Sequence, residues 1–93
     1  MATQQEKAET FRKLHQSGTF VIPNPWDIGS AKLLEAWGAK ALATSSAAFA
    51  FTLGKADGDN VVSREETFAN YGAIAAATDL PVSADLQGCF GRD

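Results

Sequence analysis

The sequence contains a single cysteine, Cys89, a single histidine, His15, and three prolines. One cysteine cannot close an internal disulfide, which excludes a small secreted scaffold held by such bridges. No apolar run approaches the roughly 20 residues needed to cross a bilayer. The opening Met-Ala-Thr-Gln-Gln-Glu has neither a basic n-region nor an apolar h-region, so no secretory leader is expected and the cytoplasm is the expected compartment. Basic residues are also few. Eight Lys and Arg against eleven Asp and Glu leave a net charge of −3, so neither nucleic acid nor an anionic membrane is an expected partner. Small anionic substrates stay open, because the potential in a site is local. No Gly-x-Gly-x-x-Gly follows the first apolar run, so the dinucleotide-binding fingerprint of a Rossmann-type domain is missing.

What remains is globular in composition. Apolar residues make up 45% and charged residues 20% of the chain, too rich in apolar surface for a disordered segment. Its 93 residues bound it to one small domain, residues 1–93.

The chain alternates helical and extended signals. Thr3-x-x-Glu6 has the form of a capping box, and Ala8, Phe11 and Leu14 recur at a spacing that gives a helix one apolar stripe. Gly18 is expected to end that helix as its C′ residue. Phe20-Val21-Ile22 reads as a first strand, stopped by Pro23-Asn24-Pro25. Asp27 or Ser30 can cap a second helix carrying Ile28, Ala31, Leu34 and Trp37, and Gly38 stops it. Ala41 to Thr44 reads as a second buried strand. Residues 45–62 form the longest connection; Ala47 to Leu53 is apolar enough for a short helix, and Gly54 to Asn60 is rich in turn formers. Ser63-Arg64-Glu65-Glu66 repeats the capping-box pattern and opens a helix to about Thr78, with Phe68, Tyr71, Ile74 and Ala75 inward. Pro81 closes that segment. Val82 to Ala84 follows as a third strand, with Asp85 where it runs out and Gly88 and Gly91 just beyond.

Strands alternating with helices imply right-handed βαβ units and parallel strands. Parallel strands end along one edge, which collects Asn24 and Trp26, then Thr44, Ser45 and Ser46, then Asp85. Hydroxyls, amides and a carboxylate on such a rim suit a small oxygen-rich anion, with a divalent metal as an option. Three parallel strands leave open edges and partly covered faces. The expected fold is therefore α/β: the N-terminal three βα units of a TIM (β/α)8 barrel, truncated after strand three. The alternative is a small three-stranded domain that stabilises itself by oligomerising.

Four segments together resemble one family. Phe20 to Ala31, Ala41 to Ser46, Leu53 to Asp57 and Val82 to Gly91 are similar to the isocitrate lyase/phosphoenolpyruvate mutase superfamily, especially its phosphonomutase- and methylisocitrate-lyase-like bacterial members. The resemblance implies a (β/α)8 barrel in a homo-oligomer. It also implies cleavage or formation of C–C or P–C bonds beside a carboxylate, with Mg2+ and an enolpyruvate-like intermediate. By position, Ser45, Ser46 and Ala47 match the turn that holds the substrate carboxylate. Asp57 matches an aspartate near the reacting group, and Asp85 matches the second aspartate of an Asp-Ala-Asp metal motif. Ser83 replaces the first, and a hydroxyl is a poorer Mg2+ ligand than a carboxylate. The family's metal-associated glutamate and catalytic lid fall beyond residue 93, and Cys89 is not the lid cysteine. The 93 residues alone are accordingly expected to be inactive. The second reading is a non-catalytic remnant serving as an oligomerising or interaction module.

Each candidate also has a plainer explanation. Asp85 can cap its turn or accept from the Gly88 and Phe90 amides. Ser45 and Ser46 can simply start a helix, and Asp57 can be a turn residue in a Gly/Asp/Asn loop. Asn24 between two prolines suits turn chemistry. Cys89 has nothing nearby in sequence to lower its pKa. His15, Arg64 and Glu65 belong to helix surfaces, while Trp26 and Trp37 suit core or interface packing.

Overall fold

The helices of this chain begin where side chains can absorb the free N–H groups of a first turn. A computed structural model describes residues 2–58 and 61–86. Helix α1 (Gln4–Leu14) starts at a reciprocal box in which the Thr3 N–H donates to Glu6 and the Glu6 N–H donates to the Thr3 hydroxyl. Helix α2 (Ile28–Ala36) starts at Asp27, whose carboxylate accepts from the Ser30 N–H at 2.7 Å while the Ser30 hydroxyl accepts from the Asp27 N–H. Strand β1 (Leu42–Ala43) leads to α3 (Ser46–Thr52), capped by Ser45. Helix α4 (Arg64–Ala77) starts at the Ser63–Glu66 box, and β2 (Val82–Ser83) follows.

The two boxed glutamates carry a pH signature. Hydrogen bonds from Thr3 to Glu6, and from Ser63 to Glu66, hold both carboxyls below the usual carboxylate value. A lowered folded-state pKa contributes stability that is present above the unfolded value and lost as pH falls through the folded one. Carbon-detected NMR titration should therefore show Glu6 and Glu66 protonating at lower pH than a free glutamate side chain. The first turns of α1 and α4 should lose hydrogen-exchange protection as they do so.

β1 and β2 pair in parallel, with Leu42 opposite Val82 and Ala43 opposite Ser83. The Leu42 N–H donates to Pro81 at 2.9 Å and the Thr44 N–H to Ser83 at 2.8 Å. Amides alternate sides along a strand, so the Ala43 N–H points to the other edge of β1, where it donates to Pro23 at 3.1 Å. That bond fixes the segment before α2 beside β1. It does not make it a strand: the expected first strand at Phe20–Ile22 has no strand geometry, and Val21 is 80% exposed. Pro23 and Pro25 have no N–H to donate, which leaves too few ladder bonds beside β1. Among the described residues the parallel sheet therefore has two strands.

The core lies between this sheet, α2 and α4. Ala31, Leu42 and Ile74 are fully buried, with Leu34, Ala39, Leu80 and Val82 packed around them. Helix α4 buries Thr67, Tyr71 and Ile74, which share one helical face. The inward face of α4 differs from expectation at Phe68. Phe68 is 42% exposed and lies under the Arg64 guanidinium, 5.2 Å from its ring centre; on α2, Ile28 and Trp37 are exposed while Ala31 and Leu34 meet the core.

Helix α1 has no fully buried residue. It is tethered at the far end of α4, where the Lys7 ammonium donates to the Ala75 carbonyl at 2.7 Å and the Ala2 N–H to Asp79 at 2.8 Å. A cation there meets carbonyls left free by the helix end. Gly18 is not the C′ residue of α1, because the helix ends at Leu14 with His15 as its cap; with φ 68° it serves the later reversal into Thr19. Gly38, at φ 100°, stops α2 as expected.

Candidate active site

The C-terminal ends of β1 and β2 meet the start of α3, and the candidate residues gather there. Thr44 continues β1 and is buried. Its hydroxyl accepts from the Asp85 N–H at 2.8 Å, so the backbone leaving β2 is pinned to the end of β1. The exposed Asp85 carboxylate then faces the first turn of α3, where the Ser46 N–H donates to it at 3.4 Å. Asn24 joins the same edge from the other flank of β1, its side-chain amide donating to the Ala43 carbonyl at 2.8 Å. The Ser45 hydroxyl is committed to capping α3, accepting from the Ala48 N–H at 3.2 Å. Ala47 follows as a half-buried residue in that first turn.

Asp57 stands in the loop after α3 and is exposed. Its charge and that of Asp85 are both felt at the Tyr71 hydroxyl. The turn expected from Gly88 and Gly91, the amides of Gly88 and Phe90, and Cys89 lie outside the described residues.

Sequence reading placed Tyr71 inward without giving it a site role, yet it lies beside the rim. A cavity of about 10 Å3 sits among Ser46, Phe49, Thr67, Tyr71 and Asp85. The Tyr71 side chain is buried, 6.4 Å ring to ring from Phe49. Its hydroxyl oxygen has no hydrogen-bond partner among the described residues. Burial is the main cause that raises its pKa; the Thr44 hydroxyl nearby eases the shift from outside hydrogen-bonding geometry, and the negative fields of Asp85 and Asp57 add to it. Tyr71 is thus a neutral donor through the physiological range. The available signal was the one phenol on the face expected to pack inward, since a buried tyrosine needs a polar contact for its hydroxyl.

A metal ion fits this set poorly. Among the described residues no three His, Cys, Asp or Glu side chains converge to hold one. Asp85 offers a carboxylate at the rim, and Ser83 supplies only a hydroxyl. Mg2+ asks for near-octahedral oxygen coordination, usually with one or two carboxylates and several waters. The described residues do not make that site by themselves.

An α/β unit with a carboxylate at the end of a parallel strand, facing the start of the next helix, is the class of protein these observations define. The sequence profile of the phosphoenolpyruvate phosphomutase family matches residues 11–93, and the chain belongs to that family, within the phosphoenolpyruvate mutase/isocitrate lyase superfamily. A crystal structure from Burkholderia cenocepacia J2315, provisionally classed as a lyase/mutase, is similar with a TM-score of 0.89 and 47% identity, over 97% of this chain and 32% of that one. A second structure from the same organism, provisionally a phosphonomutase, has a TM-score of 0.86 and 40% identity, over 94% and 35% of the two chains. The structure of 2,3-dimethylmalate lyase has a TM-score of 0.71 and 27% identity, over 91% and 30%. The chain thus spans about a third of the length of these structures. Comparison with curated protein sequences finds no significant match.

Proposed function

We propose that the protein is a carbon–carbon lyase or phosphonomutase acting on a small 2-oxo or 2-hydroxy carboxylate through an enolpyruvate-type intermediate. The observation that carries this reading is the placement of Asp85, pinned through Thr44 at the rim and facing the start of α3. Family membership and likeness to lyase and mutase structures support it. In such a reaction the electron pair of the cleaved bond settles as an enolate. Donors aimed at that developing charge supply the rate enhancement. The backbone N–H of Ala47 in the first turn of α3 would be such a donor, beside Ser46, whose own N–H is directed to Asp85, with Ser45 holding the turn. Asn24 braces the rim through Ala43, and Asp57 approaches from the following loop as the candidate nearest the reacting group.

Mg2+ belongs to this reading only as an addition, with Asp85 contributing one carboxylate and the remaining ligands coming from outside the described residues. A (β/α)8 barrel assembled as a cytoplasmic homo-oligomer completes the proposal.

Oxalate, a planar mimic of the pyruvate enolate, gives a direct test. Titrated into the labelled chain with Mg2+, it should shift the amides of residues 44–48 and 85 and leave α1 unmoved. Shifts confined elsewhere, or none at millimolar oxalate, would overturn the assignment of this rim. The non-catalytic reading draws support from the exposure of Val21, Trp37 and Phe51, which are 80%, 74% and 64% accessible. Concentration-dependent self-association without oxalate binding would favour it.

A further inference from the structure

We propose that Tyr71 is a positioning residue for Asp85: its hydroxyl, through one water molecule held in the small cavity beside α3, fixes the carboxylate at the rim. The inference rests on the reading of Asp85 as the functional carboxylate. Its grounds are geometric. Tyr71 is only 6% exposed and its oxygen has no hydrogen-bond partner among the described residues. A buried hydroxyl left unpaired is costly, so native proteins supply a partner or a water. The cavity that Tyr71 lines together with Asp85 and Ser46 has about 10 Å3, close to the least volume that admits one water on this measure. Its walls also meet the second requirement, that a buried water find two or more polar partners. The phenol donates, the Asp85 carboxylate accepts, and the Ser46 and Thr67 side chains stand on the same wall.

The arrangement explains a tyrosine where phenylalanine would pack equally well against Phe49. Asp85 is exposed, and the bond its carboxylate accepts from the Ser46 N–H is long, at 3.4 Å. A water shared with a rigid phenol adds a constraint on the direction of that carboxylate. The backbone pin from Thr44 places the residue; the Tyr71 water aims its side chain.

Tyr71→Phe removes the hydroxyl and keeps the ring. The folding equilibrium constant should fall about five-fold, as expected when a buried hydrogen bond is lost. Oxalate affinity should fall as well, although Tyr71 does not touch the ligand. In an Asp85→Ala background the stability effect of Tyr71→Phe should shrink markedly, the non-additivity of groups joined in one network. A high-resolution crystal structure should show a water within hydrogen-bond reach of both Tyr71 Oη and Asp85. A Tyr71→Phe variant equal to or more stable than the parent, effects that add in the double variant, or a phenol bonded directly to Thr44 would each overturn the proposal. Intact oxalate binding alongside any of these would leave the function assigned to the rim standing, which keeps the two failures distinct.

Discussion

Replacing Ile74 with alanine is expected to cost the fold about 3 kcal/mol, within the range for large-to-small changes at fully buried sites. Ile74 is fully buried on α4 and belongs to one cluster with Ala31 of α2 and Leu42 of β1. It is the contact through which both helices share the sheet. Truncation removes three methyl or methylene groups from a site whose neighbours cannot collapse, because Ala31 has nothing to extend and Leu42 is fixed in the ladder by its bond to Pro81. The effect is large for a domain of this size, whose whole stability is on the order of 5–10 kcal/mol. Urea denaturation should show a lower midpoint with little change in slope. Phe51→Ser, at a side chain 64% exposed, should move the midpoint by no more than about 0.5 kcal/mol equivalent. Equal effects at the two positions would mean that the core is not where Ile74 places it.

Local signals in the sequence carried most of the architecture. The Thr3–Glu6 and Ser63–Glu66 boxes are set by residues three apart, so they can be read without knowing the fold, and both are present. The Asp27–Ser30 pair required only a choice between two caps, and both side chains take part. The apolar run after Ser45 forms α3, and the extended runs at Leu42 and Val82 form the two strands. Phe20–Ile22 failed for a non-local reason. Apolar, β-branched residues suit a strand, but a strand exists only if its amides and carbonyls find partners. The prolines that follow removed donors at the point where pairing with β1 would have continued. The inward placing of Phe68 failed likewise, since periodicity says that a helix has an apolar face but not how much of it a neighbour covers.

The rim was legible because one rule of topology, that parallel strands end on one edge, was enough to bring Thr44 and Asp85 together across 41 positions of sequence. How those side chains spend their hydrogen bonds was not. Ser45, matched by resemblance to the substrate turn, gives its hydroxyl to the α3 cap, the plainer of the two explanations open to it. Tyr71 escaped notice as a polar residue because its ring satisfies the apolar pattern and only its last atom reaches the cavity.

Asp85→Asn should separate the carboxylate from the backbone that holds it. The variant keeps the size of the side chain, and its N–H can still donate to Thr44. As an exposed residue, Asp85 should cost little stability when altered, within about 0.5 kcal/mol. On the proposed reading that Asp85 contributes one carboxylate to Mg2+, binding of oxalate with Mg2+ should nevertheless weaken by about 10–100-fold. Thr44→Val acts from the other side. It leaves the carboxylate and strips the Asp85 N–H of its acceptor in a part-buried contact, so it should destabilise by about 1 kcal/mol. Affinity should fall there only through loss of placement. Isothermal titration of both variants against the parent distinguishes these outcomes. If Asp85→Asn binds as tightly as the parent while Thr44→Val does not, the rim works through its backbone and the carboxylate has no part in holding the ligand.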